Sequence, residues 1–477
     1  MSILENVRPE RVFHFFEELS AIPRGSGNEE AAAAFVEDLA KKKGLFCVRD
    51  KNNNVFIKKP AAPGHEAAPA VLLQGHLDMV CEKNADTEHD FTRDGIKLRL
   101  DGDTISADGT TLGADDGVAV AIMMAILEDE SLVHPALECL FTTEEETGLC
   151  GMKAFDKSLV AAKYMINLDS EDDDRATVSC AGGVRTDFFI KDIPFERCEN
   201  VVTMKVSGLM GGHSGADIHL GRANAIKLAF SLITGLENVR IISVAGGSKD
   251  NAIPRECTVV LTCDDAADAP QILAENAETS RDALTKDDAG FNFKAEYSRT
   301  TTHAYAEKYS RALISLVSSL PYGPLGMSEE VPGLVETSSN PGIIISDGDS
   351  VRVTCSSRSS VSERLDEIIE SFDSLAAHLG TVEAVHRDRY PGWDVTKNSD
   401  LQRIYKEAYR DLFGEEPKIV GIHAGLECGL IKEEIPDLDI ISTGPNARDI
   451  HTPDETLSVK STEKVYELTK VLLKRLA

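Results

Sequence analysis

Val71 to Val80 reads V-L-L-Q-G-H-L-D-M-V, and this stretch decides how the rest of the chain is read. A short apolar run is cut off by Gly75. His76 and Asp78 then follow two positions apart, which in extended backbone puts both side chains on the same side. That is a metal-ligand geometry. A single histidine beside an apolar strand is more often structural, so the reading depends on what else the chain supplies. Four further stretches end an apolar or small-residue run with acids or a histidine. They are L-G-A-D-D-G at 112–117, L-F-T-T-E-E-E-T-G at 140–148, M-I-N-L-D-S at 165–170 and I-I-S-T-G-P-N-A-R-D-I-H at 440–451. Recurrence on this scale points to one shared site.

With 477 residues the chain can form two or three domains with at least one deep core. A net charge of −30 at pH 7 argues against partners with a phosphate backbone and against anionic membranes, since both would be repelled. The opening M-S-I-L-E-N-V-R-P-E lacks a basic segment followed by an apolar one, so no secretory signal is expected. No run approaches the roughly 18 uncharged apolar residues of a membrane span. The ten cysteines are scattered without a C-x-x-C pair, which speaks against a disulfide framework and a cysteine zinc knuckle. The expectation is an acidic, soluble, cytoplasmic protein.

Residues 11–24 carry apolar positions at helical spacing, with a stop near Pro23. A second amphipathic helix follows, with Asn28 as its cap and Gly44 as its stop. Strands F-C-V-R-D and N-V-F-I-K-K come next, and this alternation predicts an α/β layer architecture. T-L-G-A-D-D-G-V-A-V-A-I-M-M-A-I-L-E-D-E reads as a glycine-containing loop running into a helix that begins near Asp116. Asp115 would sit at its N-terminal end, where backbone N–H groups can fix a carboxylate. L-E-C-L-F-T-T delivers the acids at 144–146 and Y-M-I-N-L-D delivers Asp169, the usual place for a site outside the carboxyl edge of an open sheet.

Beyond about residue 186 a strand, a glycine-rich loop, a helix and more strands are followed by a second, less exact cycle. This predicts an inserted α+β domain over 187–399, made of two related halves without a tidy repeat period. The α/β pattern resumes from 400 with a helix, the loop G-I-H-A-G-L-E-C-G, a strand, His451 and a closing helix. Segments 1–186 and 400–477 are therefore expected to form one catalytic domain.

Histidines and carboxylates without thiolates favour zinc, manganese or cobalt over copper or an iron–sulfur cluster. Calcium or magnesium would use oxygen ligands more uniformly. Asp115 is suited to bridging, one oxygen to each of two ions, and such a pair can activate a water and polarise the carbonyl it attacks. The triplet Glu144, Glu145, Glu146 can supply a base, although spacing leaves open which glutamate binds metal and which takes the proton. H-E-x-x-H is absent, which excludes the helix-borne zincin arrangement.

Together, G-H-L-D at 75–78, G-A-D-D-G at 113–117, E-E-T-G at 145–148, Asp169, and His451 followed by T-P-D-E resemble the co-catalytic metallopeptidases of the M20 group. G-G-H-S-G, N-A-I-P-R-E, S-S-R-S-S and G-I-H-A-G-L-E-C-G resemble its aminoacyl-histidine dipeptidase branch, and the resemblance covers nearly the whole chain. It implies a mixed-sheet, di-metal aminopeptidase-like catalytic domain with an inserted α+β lid. One metal would be held by His76 and Asp169, the other by Glu146 and His451, with Asp115 between them. Asp78 would orient His76, Glu145 would be the general base, and the Asp115–Asp116 bond is one these enzymes often hold in cis. In the lid the resemblance assigns His213 to the oxyanion, and Asn251 and Arg358 to the substrate carboxylate, which a guanidinium can grip with two hydrogen bonds. His423 and Glu427 would recognise the free amine or line the pocket. His219, His303 and His386 are expected to be ordinary surface or structural histidines.

The implied reaction is hydrolysis of dipeptides with a free N-terminus, including Xaa-His such as β-Ala-His. Its cofactors would be two divalent ions, zinc by default with manganese or cobalt as alternatives. An amidohydrolase acting on N-acylated amino acids is the alternative enzyme. A non-catalytic metal-binding scaffold would have no chemical need for Glu145. A duplicated lid could mimic a partner and place His213 in its own active site, or lid edges could pair two copies; the expectation is a homodimer through the lid.

Overall fold

Val71–His76 forms a strand buried at every position. Its neighbours Leu137–Thr142 and Tyr164–Asn167 both run parallel to it, and Asp439–Ser442 adds another parallel strand beyond the second. Near-continuous apolar runs suit strands covered on both faces. Because these strands share a direction they also share a carboxyl edge, where the residues that follow each of them emerge side by side. Val55–Lys59 and Phe46–Arg49 extend one flank with antiparallel pairing, and Arg175–Cys180 and Lys418–Ile422 complete the other, giving an eight-stranded mixed sheet. The computed structural model describes residues 3–477. They fall into two units: one runs to Ser179 and resumes over Val395–Gly421 and Leu426–Ala477, and the other comprises Cys180–Asp394 with Ile422–Gly425.

In the first unit the helix Glu10–Ser20 buries Val12, Phe13, Phe16 and Leu19 at helical spacing. The helix Glu30–Lys43 is stopped by Gly44 in the left-handed conformation, as expected. Asn28 is not its cap. Its N–H closes a turn onto the Gly25 carbonyl, and Glu29 takes the capping position without a side-chain cap bond. The helix Ala114–Glu128 is buried almost all round, as its uniformly apolar sequence demands. A four-stranded sheet of Ala447–Arg448, Thr456–Ser458, Thr104–Ala107 and Leu98–Asp101 was not foreseen. Its first two strands form the hairpin whose connection carries His451 and Glu455.

The second unit is built on one sheet whose strand order shows two halves of identical topology. In the first half, strands Phe195–Ser207, Arg240–Gly246, Cys257–Thr262 and Asn292–Tyr305 alternate with helices Ala225–Leu232 and Ala269–Arg281. In the other, strands Gly182–Ile190, Val335–Asp347, Ser350–Ser359 and Glu383–Tyr390 go with helices Glu307–Ser319 and Ser362–Leu379. Apart from Gly323–Met327, an extra strand of the same sheet paired with Val335–Asp347, and a separate two-stranded pair, each runs strand–helix–strand–strand–helix–strand, and in each the fourth strand pairs the first, the first the third, and the third the second. The halves join where their second strands meet, Ala245 opposite Ile345 and Gly246 opposite Ile344. One apolar core runs beneath both, from Met204, Phe230 and Leu261 to Leu316, Val353 and Phe372. No helix among the described residues is long and apolar enough to cross a membrane.

Candidate active site

His76 ends its strand with a buried ring. Its Nδ1 lies 3.2 Å from the Asp78 carbonyl oxygen and 3.4 Å from Asp78 Oδ1. The nearer carbonyl is the hydrogen-bond acceptor and the carboxylate a charge partner, which leaves Nε2 facing outward. Nε2 sits 3.0 Å from Asp115 Oδ1 and 4.0 Å from Asp169 Oδ1. His451 Nε2 lies 3.1 Å from Asp115 Oδ2 and 2.9 Å from Glu146 Oε1. Asp115 thus turns one oxygen to each histidine.

The register of the glutamate triplet is set by backbone bonds. Asp78 accepts the N–H of Glu145 at 3.1 Å and of Glu146 at 3.3 Å, and the Ser26 hydroxyl at 2.7 Å. Glu29 accepts the N–H of Glu144 at 3.1 Å. Glu145 and Glu146 then join His76 in a group whose ligand atoms all lie within 4.8 Å of one another.

Asp115 is positioned from behind. The N–H groups of Leu112, Gly113, Ala114 and Asp115 donate to the buried carboxylate of Glu455 at 2.7, 2.9, 2.8 and 3.3 Å. This corrects the expectation that those amides hold the Asp115 carboxylate: Glu455 satisfies them, and Asp115 is left to face the histidines. Buried Arg24 donates to the carbonyls of Leu77 at 2.8 Å and Asp78 at 3.0 Å, and also to that of Gly113, tying the strand end to the helix entrance. Gly113 has a φ of 69°, and a Cβ there would meet Arg24 Nη2 at 2.5 Å, so glycine is required twice over. The Asp115–Asp116 peptide is cis. Asp116 also falls within 4.8 Å of His76 and Asp169, but its Oδ2 is engaged by the His76 N–H at 3.2 Å, which makes it a support.

So many acids in one buried place cannot all stay ionised without compensating charge. Burial pushes Asp169 and Asp116 well above the ordinary carboxylate range. Glu145 is pushed up to about 8, by burial first and then by Glu427, Glu146 and Asp115, with His76 opposing. Burial would also raise Asp115, but its bonds to His451 and His76 outweigh it and hold the group well below its usual value. His451 is raised to about 10 by Asp115 and Glu146. Although 2.9 Å from His451, Glu146 Oε1 is buried and makes no well-formed hydrogen bond. An orphaned carboxylate oxygen, two outward imidazole nitrogens and an aspartate with one oxygen towards each histidine are donors of the kind that divalent cations take.

Gln74, the polar residue in the middle of the apolar strand, donates to Glu427 at 2.6 Å and to Thr142 at 3.2 Å, and accepts from Asn167 at 2.6 Å. Thr142 also donates to Glu427 at 2.6 Å. Glu427 opens the helix Glu427–Glu434, is wholly buried, and is pushed up to about 8 by that burial. Its Oε1 lacks a partner. The structure therefore parts the two residues read together on the loop G-I-H-A-G-L-E-C-G: Glu427 belongs to the first unit and His423 to the second.

In the second unit His213 Nδ1 accepts the N–H groups of Gly215 at 3.2 Å and Ala216 at 3.0 Å. The ring proton therefore resides on Nε2, which can donate outward. Burial, then Arg358, lowers the His213 pKa and keeps the ring neutral. Its short strand pairs with that of Ala252, next to Asn251, and the Asn251 carbonyl accepts the Ser214 N–H at 2.9 Å. Asn340 donates to the Ala252 carbonyl at 2.9 Å, joining this loop of one half to a strand of the other. Arg358 is buried and donates to the Tyr390 hydroxyl at 2.9 Å, while its Nε has no partner and no acid lies within 4 Å among the described residues. His423 bonds Ser338 at 2.7 Å and is lowered to about 3, by burial and then by Arg358, so it too is neutral. His386, held between Thr186 and Asp373, is structural as expected.

Arg24, Ser26, Gln74 and Glu455 were missed as site residues. A polar residue inside V-L-L-Q-G-H and an acid closing T-P-D-E were the available signals.

The family model for peptidase family M20/M25/M40 matches residues 72–475. The cytosol non-specific dipeptidase of Escherichia coli is 35% identical over 486 aligned positions, covering 100% of this chain and 99% of the relative. The crystal structure of an aminoacylhistidine dipeptidase from Vibrio alginolyticus superposes with a TM-score of 0.94 at 34% identity, over 99% of this chain and 98% of that one. The aminopeptidase PepT of Bacillus cereus shares the fold at a TM-score of 0.59 and 17% identity, over 98% and 99% of the two chains. The histidines and carboxylates of the strand-edge cluster lie inside the matched span, and the chain belongs to peptidase family M20/M25/M40.

Proposed function

We propose that this protein is a dinuclear metal-dependent dipeptidase that hydrolyses dipeptides with a free N-terminus, Xaa-His substrates such as β-Ala-His among them. The observation that carries the proposal is Asp115, with one oxygen 3.0 Å from His76 and the other 3.1 Å from His451. The full-length similarity to the Escherichia coli and Vibrio alginolyticus dipeptidases supports the substrate class. His76 and Asp169 would hold one ion, Glu146 and His451 the other, and Asp115 both. Zinc is the first choice of metal and manganese or cobalt the alternatives. What the ions supply when bound is activation of the attacking water and polarisation of the scissile carbonyl.

Glu145 takes the proton of the attacking water and passes it to the leaving nitrogen. A carboxyl raised by burial is suited to both transfers, and positive charge at the adjacent ligands draws it back towards the working range. Asp78 orients His76 and fixes the Glu145 backbone. His213, proton on Nε2, donates to the oxygen that becomes negative. Arg358, a buried cation without an acid partner, holds the substrate carboxylate with Asn251, and His423 lines that set. Glu427 supports the site from beneath through Gln74 and Thr142 and adds negative charge when ionised. In domain terms, the unit that runs to Ser179 and resumes over Val395–Gly421 and Leu426–Ala477 would carry the chemistry, and Cys180–Asp394 with Ile422–Gly425 the recognition. A cytoplasmic location and a homodimer paired through the inserted domain complete the proposal.

The test compares Gly-Leu and β-Ala-His with N-acetyl-leucine and N-acetyl-histidine on metal-reconstituted protein. Turnover of the free dipeptides with little of the acetylated compounds is expected. The reverse preference would replace the dipeptidase assignment with an acyl-amino-acid hydrolase.

A further inference from the structure

Beside Glu146 the first unit holds a cavity of about 450 Å³ lined by Ser26, Met79, Cys81, Phe91, Thr147 and Glu146, among others. It falls within the roughly 300–1,000 Å³ of small-molecule sites. Met79 lies three positions beyond His76 and is buried, so the wall is continuous with the strand that carries the ligands. Opposite it, a Cβ on Gly25 would meet Cys81 Sγ at 2.5 Å; the absence of a side chain there lets Cys81 pack into the cavity wall. Glu146 is the only charged residue in the lining, and the remainder is apolar or neutral. Nothing in the chemistry already assigned uses this space.

We propose that the cavity is the subsite for the side chain of the substrate's N-terminal residue, accepting uncharged and apolar side chains and rejecting acidic ones. The proposal rests on the dipeptidase reading. The end of the dipeptide that it receives follows from charge. Asp78, Asp115, Glu145, Glu146 and Asp169 surround the adjacent cluster, and carboxylate oxygens accept hydrogen bonds from an ammonium group but not from a carboxylate. The carboxylate end has a buried, acid-free cation of its own in Arg358. The residue held on the carboxylate-rich side is therefore the N-terminal one. An acidic side chain in the cavity would lose hydration against its apolar wall, whereas an aliphatic or aromatic one would bury apolar surface against Met79 and Phe91.

The experiment measures kcat/KM for Xaa-Gly and Gly-Xaa dipeptides, with Xaa as Ala, Leu, Phe, Gln or Glu, on the full-length metal-loaded protein. Wild type, Cys81→Leu to narrow the cavity and Phe91→Ala to widen it are compared through the ratio of Phe-Gly to Gly-Phe, which cancels general losses of activity. Cys81→Leu is expected to lower that ratio about tenfold, the scale on which pockets discriminate by a few carbons. Phe91→Ala is expected to raise it, and wild type to favour Gln-Gly over Glu-Gly. Unmoved ratios, or ratios that move the opposite way because the cavity takes the C-terminal side chain, overturn the proposal. If Cys81→Leu does not fold, the widened variant decides by the sign of its change. Wild type inactive on every dipeptide would overturn the dipeptidase reading itself, a result distinct from active enzyme with unmoved ratios.

Discussion

Glu455→Gln is expected to loosen the dinuclear site without touching a metal ligand. The carboxylate serves four consecutive N–H groups, Leu112 and Gly113 on Oε2 and Ala114 and Asp115 on Oε1. A glutamine carbonyl can serve one pair, and its NH2 then faces the other two N–H groups, donor against donor. Burial denies them easy access to water. At about 1.5–3 kcal/mol for each hydrogen bond to a charged group, losing two costs about 3–6 kcal/mol before relaxation. Against a typical stability of about 5–15 kcal/mol this is a severe loss. Because the loosened segment ends at Asp115 and the Glu455 hairpin also carries His451, metal affinity should fall by about 10–100-fold, as for other groups that orient ligands. The assay pairs urea denaturation of the metal-free protein with competitive chelator titration. Asp454→Asn, an exposed neighbour, is the control and should change neither. An unaltered midpoint and unaltered metal affinity in Glu455→Gln would refute the clamp.

Arg358→Ala should reduce dipeptide kcat/KM by about 10–100-fold, the worth of charge-assisted bonds to a carboxylate, at unchanged metal content; equal kcat/KM in both proteins would remove Arg358 from carboxylate binding. Metal loading should release protons. In the metal-free protein His451 is raised to about 10, and His76 is raised well above its ordinary value by Asp115 and Asp78 against the opposing effect of burial, so at pH 7 both rings must lose a proton to bind metal. Apparent metal affinity should therefore climb as pH rises towards 10, and calorimetry in buffers of different ionisation enthalpy should record the release; loading without it would contradict the reading. Because the His451 value is raised on folding, its pairing with Asp115 and Glu146 stabilises the metal-free protein fully below about pH 6.5 and ceases to do so as pH rises through about 10. Urea midpoints of metal-free wild type and His451→Ala across that window measure this contribution, which should shrink with rising pH.

The strand at Val71–His76 was legible because an apolar run, a glycine and the pair His76 and Asp78 fall in ten residues, and the parallel partners likewise end in acids at the same edge. Over the second unit the sequence offered only a rough recurrence; where each half begins and ends, and the strand order the halves share, are set by hydrogen-bond pairing that local sequence does not carry. The Glu455 clamp reaches Ala114 across 341 positions, and the strands that bring it there are two to four residues long, too short for a periodic signal. The glutamate register was open at the level of spacing because what fixes the backbone is Asp78 accepting two N–H groups, a tertiary contact. His423 and Glu427, four residues apart, were read as one loop; a helix beginning at Glu427 and its bonds to Gln74 and Thr142 draw it into the first unit's core.

The most direct test of the central claim measures turnover of β-Ala-His and Gly-Leu by metal-reconstituted wild type and Glu145→Ala, with bound metal counted in both. The account predicts two bound ions in each protein, turnover in wild type, and a collapse of about a hundredfold or more in the variant, as befits loss of a general base. Equal turnover at equal metal occupancy would contradict it.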